Sequence, residues 1–312
     1  RNTITGFFLA CFFLVIPQKS MASHVAGGEI SYRHLGNDKY VIYLKLYLDC
    51  NGVSFGPLVG NIKTIDTSLT LYFKQVSVRA LDLVDKNCPP KSKCFGSYPY
   101  GFEERVWVDT VDLSSFSQCD WYIYQEVNVR ASTITTGQSN QNFHVNAKLN
   151  KCVAGGNSSP YIPVPPKFLL CQNEDFVYSF AVKDTSDTGD SFSYTLATAF
   201  QYENMSSTYS GGFSALRPLT FYGFPNQNLP APAGFHLNPA TGVLSFRPTE
   251  LNEQAVVVVE ISEWKEINGN MTKIGTTKRD VTFNIISCAG NGNPPEVIST
   301  EDTFEVCSGS QI

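Results

Sequence analysis

Apolar and polar residues alternate strictly along the segment from residue 40 to residue 50. One face carries only large apolar side chains, those of Tyr40, Ile42, Leu44, Leu46 and Leu48. The opposite face mixes polar and apolar residues, namely Val41, Tyr43, Lys45, Tyr47 and Asp49. A period of two predicts a β-strand with one face in a core and the other partly solvated. The turn sequence Gly36-Asn37-Asp38 stands just before it, so residues 29–35 are predicted to form the partner strand of a hairpin.

Short runs rich in β-branched and aromatic residues recur along the rest of the chain, and clusters of Gly, Pro, Asn, Asp and Ser separate them. These runs are Leu69–Phe73, Arg105–Leu113, Trp121–Val129, Phe143–Leu149, Phe176–Val182, Phe192–Phe200, Val256–Ile261 and Val281–Ile286. The sequence Asn-Pro-Ala-Thr-Gly at 238–242 predicts another hairpin turn, in which Gly242 takes a positive φ. No stretch of usual helical length has a 3.6-residue period. The sequence therefore predicts an all-β fold.

Two breaks in composition divide the chain. Residues 155–160 read Gly-Gly-Asn-Ser-Ser-Pro and three further prolines follow by residue 166, which is typical of a linker or a long edge connection. A second break, Gly-Asn-Gly-Asn-Pro-Pro, covers residues 290–295. We therefore predict two consecutive β-sandwich domains of the Ig-like or cadherin-like kind, at 23–153 and 154–290. Residues 291–312 are expected to be a linker and the start of a further, truncated module.

The first 22 residues have the pattern of a secretory signal peptide. Arg1 is followed by an apolar run of 11 residues, 6–16, and by the small-x-small site Ser20-Met21-Ala22. The apolar run is too short for a membrane-spanning helix, which needs about 20 residues. Cleavage after Ala22 is expected, so we predict a secreted protein at the cell surface. The formal net charge of −5 becomes −7 without Arg1 and Lys19, and no basic cluster remains, so nucleic acid is not an expected partner.

Eight cysteines remain once Cys11 is removed with the signal peptide: Cys50, Cys88, Cys94, Cys119, Cys152, Cys171, Cys288 and Cys307. An even number in an exported chain favours disulfides, and the absence of a C-x-x-C pair argues against zinc. Cys88 and Cys94 suit a small disulfide-closed loop. Cys171 and Cys288 stand near the two ends of the second segment and could close it. The other pairings stay open.

Three aspartates, Asp184, Asp187 and Asp190, are closely spaced in the sequence KDTSDTGDSFSY, which follows a predicted strand. Carboxylates gathered around a glycine can supply oxygen ligands to Ca²⁺. The spacing differs from that of an EF-hand loop. The alternative is a solvated turn whose side chains accept hydrogen bonds from local backbone amides.

The aromatic segment Phe221, Tyr222 and Phe224, with the proline-rich loop that follows it, is predicted to be the most exposed aromatic part of the chain. It would form a glycan- or protein-binding surface, or else pack back on its own sandwich. Enzyme signatures are absent, because the histidines do not form H-E-x-x-H and no G-x-S-x-G is present. The sequence therefore predicts no catalytic residues, no cofactor other than calcium, and a non-enzymatic role.

Several motifs in combination resemble the N-terminal region of large Bacteroidetes surface proteins that are associated with gliding motility and carry PKD- or Ig-like repeats. They are His24-x-x-Gly27-Gly28-Glu29-Ile30-x-Tyr32, Tyr47-x-Asp49-Cys50-Asn51-Gly52, Cys119-Asp120-Trp121, Asn157-Ser158-Ser159-Pro160, Gly189-Asp190-Ser191-x-Ser193-Tyr194 and Arg279-Asp280-Val281. One departure is that Asn128-Val129-Arg130-Ala131 stands where many relatives have Cys-Cys-Arg-Asn.

The resemblance implies a substrate of type IX secretion, exposed outside the bacterial outer membrane. The leading hypothesis is a surface adhesin or filament module that binds a protein or glycan ligand and continues into further domains of the same polypeptide. The alternatives are a carbohydrate-binding module of a surface polysaccharide system, and an anchoring segment bound by outer-membrane secretion or motility machinery.

Overall fold

The computed structural model describes residues 25–50, 52, 55–81, 92–96, 98–153, 156–184 and 189–288, and these residues form sixteen β-strands and no α-helix. In chain order, β1 to β16 are Val25–Gly36, Lys39–Asp49, Leu58–Lys63, Ser68–Leu81, Phe102–Asp112, Asp120–Val127, Phe143–Asn150, Leu169–Cys171, Phe176–Ser179, Ser191–Ala197, Phe200–Tyr202, Met205–Ser206, Phe235–Leu237, Val243–Phe246, Gln254–Ile267 and Asn270–Ile286. The predicted all-β class is confirmed. The predicted signal peptide, the segment 291–312, His24, Cys88 and Cys307 lie outside the described residues.

The hairpin predicted around Gly36-Asn37-Asp38 is confirmed. It consists of β1 and β2, joined by Asn37 and Asp38 with φ values of 51° and 53°. The apolar face of β2 belongs to the first hydrophobic core. Tyr47, predicted on the partly solvated face, is fully buried because Phe168 covers it, with a ring-centroid distance of 5.6 Å. Both faces of this end of β2 are therefore covered.

Eight strands enclose the first core. The hydrogen-bonded path runs through β16, β1, β2, β5, β4, β3, β6 and β7, and β7 pairs again with β16. Trp107 on β5 and Trp121 on β6 are among the largest side chains buried in it. The path closes on itself, so a continuous ring of paired strands encloses the first core.

The second core lies between the β10–β15–β16 part of the large sheet and a three-stranded sheet of order β13–β14–β9. Val257 and Val259 of β15 face this core, whereas Val256 and Val258 face a smaller cluster with Ile134 and other residues. The uninterrupted valine run in β15 follows from burial on both faces. The predicted turn between β13 and β14 is confirmed, and Gly242 has φ +70°.

Strand β16 belongs to both units. Its residues 275–277 pair with β7, residues 279–281 pair with β1, and residues 284–286 pair with β8, while β15 runs along nearly its whole length. The two cores agree with two sandwich-like units. However, the strand that closes the first ring comes from the second segment of the chain.

Close approach of backbones explains the glycines at the start of β1. A Cβ on Gly27 would collide with the carbonyl oxygen of Asp280 on β16. A Cβ on Gly28 would lie 2.8 Å from the carbonyl oxygen of Lys45 on β2. The pair therefore lets β1 pack closely between its two neighbouring strands.

Residues 156–159, which lie within the first break in composition, form an edge connection along β1. Ser159 N donates to Tyr32 O at 2.9 Å, and Tyr32 N donates to Ser159 Oγ at 2.8 Å. Gly156 has φ +81°, and a Cβ there would collide with the His34 ring. Residues 156–159 thus cover the part of β1 that β16 leaves unpaired.

Three disulfides link described cysteines: Cys50–Cys94, Cys119–Cys152 and Cys171–Cys288. The predicted disulfide between Cys88 and Cys94 is wrong, because Cys94 pairs with Cys50, the residue directly after β2. Their Cα atoms lie 5.3 Å apart. Disulfides of this number point to an oxidising, extracellular type of environment. Within the described residues, no helix is long and apolar enough to cross a membrane.

Candidate functional site

A compact acidic cluster forms at the edge of the second unit. Carboxylate oxygens of Asp184, Asp190 and Glu263 all lie within 4.8 Å of one another. The Asp190 side chain is only 2% exposed, and Glu263 is 1% exposed. The structure therefore brings together two of the three aspartates predicted as calcium ligands and adds a glutamate from elsewhere in the chain. Asp187 lies outside the described residues.

Sheet pairing places the two aspartates. Lys183, just before Asp184, exchanges two backbone hydrogen bonds with Tyr161, at 3.0 and 2.8 Å, which fixes the chain directly before Asp184. Asp190 directly precedes β10, whose first residue Ser191 pairs with β15. Asp184 and Asp190 are thus anchored to different parts of the fold.

A glycine on β16 makes room for the third carboxylate. Glu263 on β15 pairs with Gly275, and a Cβ at that position would lie 2.9 Å from Glu263 Oε2 and 2.5 Å from the Tyr32 hydroxyl. Only a residue without a side chain leaves this space open. The Glu263 side chain therefore stays buried and turns toward the junction of the two units.

Two polar side chains border the cluster. Lys265 Nζ lies 3.1 Å from Asp190 Oδ1, an ion pair without hydrogen-bond geometry, and Asp190 Oδ2 has no hydrogen-bond partner among the described residues. Asn157 Nδ2 donates to Glu263 Oε2 at 3.0 Å. Asn157 is fully buried, and its Oδ1 also has no hydrogen-bond partner among the described residues. Lys265 thus borders the cluster at Asp190, and Asn157 borders it at Glu263.

Sequence reasoning missed Glu263. It lies 73 positions after Asp190, and register between β10 and β15 cannot be read from either strand alone. One signal was available, because Glu263 follows the apolar run of β15 and is flanked by Ser262 and Trp264. A charged residue that continues a strand buried on both faces must have a partner.

A second group of polar and aromatic side chains lies on β6, β7 and β11, on the side of the sheet that faces away from the first core. The rings of Tyr122 and Tyr124 each lie within 21° of parallel to the ring of His144, at centroid distances of 6.3 and 5.5 Å. Phe200 adjoins His144 at 6.1 Å. Lys63 Nζ lies 5.8 Å from the centroid of the Tyr124 ring. We call these four rings the aromatic row.

A hydrogen-bond relay runs through this row. Tyr122 Oη lies 2.9 Å from His144 Nε2, and His144 Nδ1 lies 3.2 Å from Glu126 Oε1. Burial raises the pKa of the Tyr122 hydroxyl and lowers the pKa of His144, although Glu126 opposes the latter shift. A phenol with a raised pKa is a poor nucleophile near neutral pH, so the relay is better suited to holding the rings in place than to covalent chemistry.

The predicted aromatic binding segment is mostly packed on its own unit. Phe221 is buried, with ring centroids 5.5 Å from Phe224 and 5.7 Å from Phe235, so the expectation that it is exposed is wrong. Tyr222 and Phe224 are half-buried, and Arg247 covers the Tyr222 ring at 5.3 Å. The physical reason is that Phe221 follows the buried Leu219 and completes the second core.

Comparison with known proteins adds no identification. No protein-family model matches the chain, and no curated protein matches it at a significant level. The resemblance to Bacteroidetes surface proteins therefore stays a prediction that rests on the sequence motifs.

Proposed function

We propose that this chain is a rigid, non-enzymatic module of an extracellular surface protein, which holds a binding face away from the cell. The observation that carries the proposal is strand β16, which pairs with β7, β1 and β8 and so belongs to both units. Moving one unit relative to the other would break these backbone pairings. The three disulfides support an extracellular role.

Two buried ion pairs support the same rigidity, because adjacent residues of β16 reach into opposite sides of the sheet. Arg279 Nε donates to Glu29 Oε2 at 2.6 Å. Asp280 accepts two hydrogen bonds from Arg130, at 2.9 and 2.6 Å. Removing one partner of a buried pair typically costs about 3–5 kcal/mol, so both sides of β16 are strongly held.

Adhesion of coated beads tests the proposal. Beads that carry the folded chain should be retained under flow on surfaces coated with polysaccharide, glycoprotein or whole bacteria. Beads that carry the reduced and alkylated chain are the matched control, because they present the same sequence without the fold. Retention equal to that of the control on every surface would argue against an adhesin.

Cooperativity of unfolding tests the rigid arrangement separately. Calorimetry should give one transition, with equal calorimetric and van't Hoff enthalpies, since β16 cannot leave one unit without opening the other. Two separate transitions would mean that the units unfold independently and would contradict the shared-strand argument.

The aromatic row favours carbohydrate binding as a second candidate function. The half-buried rings of Tyr122 and Tyr124 are near-parallel to the buried ring of His144 and are bordered by Lys63 and Glu126. The two tyrosine rings combine apolar surface with neighbouring charged hydrogen-bonding groups, which suits the two faces of a sugar ring. The partner would be a surface polysaccharide or a glycoprotein glycan.

A glycan array would decide this second candidate. Tyr124→Ala should lower binding about tenfold or more, while Tyr222→Ala, in the other aromatic segment, should leave it unchanged. The reverse result would move the binding face to the segment at 221–224. Binding of no glycan by the folded wild-type chain would remove the carbohydrate hypothesis.

A further inference from the structure

Carboxylate oxygens of Asp184, Asp190 and Glu263 converge at the acidic cluster. The Asp190 side chain is 2% exposed, and its Oδ2 has no hydrogen-bond partner among the described residues. Lys265 supplies one positive charge, at 3.1 Å from Oδ1. A buried carboxylate oxygen without a donor is strongly disfavoured unless a cation compensates it. We propose that Asp184, Asp190 and Glu263 bind one Ca²⁺ ion.

The donor set selects a hard cation. All three ligand groups are carboxylates, which suit calcium and magnesium, whereas zinc and copper sites in proteins favour nitrogen and sulfur. Calcium binds oxygen at about 2.3–2.6 Å, so two ligands on opposite sides of the ion stand up to about 5 Å apart. The corresponding span for magnesium is about 4 Å. The oxygens in the cluster all lie within 4.8 Å of one another, which is inside the span of a calcium ion.

A second buried oxygen without a hydrogen-bond partner among the described residues belongs to Asn157, whose amide contacts Glu263. Asn157 is fully buried and donates to Glu263 Oε2 at 3.0 Å, while its own Oδ1 has no hydrogen-bond partner among the described residues. An amide carbonyl oxygen is a common calcium ligand. Asn157 is not one of the acidic residues and comes from a different part of the chain, the connection at 156–159 that lies along β1. It is therefore a separate observation.

The position of the ion gives it a structural consequence. Asp190 precedes β10, Glu263 belongs to β15, and Asn157 belongs to the segment between the two units. A bound ion would tie these three parts together at the junction. The proposal goes beyond the rigid display role and does not depend on it, since a calcium site would be present whatever the module binds.

Direct binding measurements test the proposal on the complete chain. After treatment with EDTA and its removal, isothermal titration with Ca²⁺ should give one site per chain, with weaker binding of Mg²⁺. Extracellular calcium modules typically bind with Kd of about 10⁻⁴–10⁻³ M, which sets the concentration range. Glu263→Gln should weaken Ca²⁺ binding tenfold or more. Glu266→Gln, on the same strand but exposed, is the matched control and should leave binding unchanged.

A measurement on the wild-type chain keeps the test decisive if a variant fails to fold. Tb³⁺ should bind at the same site and show luminescence sensitised by the neighbouring Trp264, and Ca²⁺ should displace it. Absence of any Ca²⁺ titration signal together with absence of displaceable Tb³⁺ luminescence would overturn the proposal. Equal loss of Ca²⁺ binding in both glutamate variants would do the same, because it would indicate non-specific charge attraction.

Discussion

Two groups of buried carboxylates in this protein differ in how cations balance them. Around Glu29, Arg279 Nε lies at 2.6 Å and Lys45 Nζ at 3.0 Å. Burial alone would raise the pKa of Glu29, but these two cations outweigh it and lower the pKa from 4.5 to about 2. Around Asp190, three carboxylates converge, and Lys265 Nζ forms an ion pair with Asp190 at 3.1 Å.

The difference separates a structural ion pair from a candidate ligand site. Arg279 also donates hydrogen bonds to Tyr178 Oη at 2.9 Å and to the carbonyl oxygen of Val164 at 2.7 Å. The charged groups around Glu29 therefore satisfy one another. The second group keeps an Asp190 oxygen without a donor among the described residues. A satisfied network holds the fold together, whereas an unsatisfied one has capacity for an added cation.

Removing Arg279 should produce the largest effect. Arg279→Met leaves the carboxylate of Glu29 buried with a single lysine, so the free energy of unfolding should fall by about 3–5 kcal/mol. Chemical denaturation monitored by tryptophan fluorescence measures it. Arg79→Met is the control, because the Arg79 side chain is 61% exposed in its ion pair with Glu104. For this exposed pair the free energy of unfolding should fall by less than about 1 kcal/mol. Equal losses in the two variants would erase the distinction between a buried and a peripheral pair.

Acid should remove the contribution of Glu29. Its folded-state pKa is about 2 and its ordinary value is 4.5, so the stabilisation is complete above about pH 4.5 and is lost as the pH falls toward 2. The shift corresponds to about 3 kcal/mol. The measured quantity is the difference in free energy of unfolding between wild type and Glu29→Gln across this range. A difference that stays constant with pH would mean that Glu29 is not ionised in the folded protein.

Local pattern was sufficient to predict the hairpins, because alternation and turn residues lie within a few positions of each other. The β1–β2 hairpin and the turn at Gly242 are both confirmed. Long-range register was not accessible. Nothing in the local sequence of β16 indicates that it closes the first ring, and nothing local pairs Glu263 with Asp190. Whether the segment at Phe221 is exposed or packs back on its own sandwich stayed open for the same reason, since its burial depends on long-range contacts such as that with Phe235.

Neutralising Asp190 should act in the opposite direction to removing Arg279. In EDTA, Asp190→Asn relieves repulsion among three clustered carboxylates but also removes the ion pair with Lys265. Because the Lys265 side chain is 24% exposed and water can solvate it in the variant, the relief should outweigh the loss and stabilise the chain by about 1 kcal/mol. In millimolar Ca²⁺ the order should reverse, because the wild type gains stability by binding and the variant does not. Thermal unfolding in both buffers checks this. Destabilisation of the variant in EDTA would show that the cluster is a closed ion-pair network like that of Glu29.

The smallest expected effect concerns the lysine beside the cluster. Lys265 is an ion-pair partner of Asp190 that would compete with an added cation, so Lys265→Met should strengthen Ca²⁺ binding about fivefold, equivalent to about 1 kcal/mol. Lys273→Met is the matched control, because Lys273 is an exposed lysine on β16 that lies over the Trp264 ring at 5.1 Å. Its removal changes the net charge equally but should alter the Ca²⁺ affinity much less, since solvent screens an exposed charge. Titration calorimetry of both variants compares them directly. Equal strengthening would assign the effect to overall charge, and weaker binding in Lys265→Met would mean that the lysine helps to build the site.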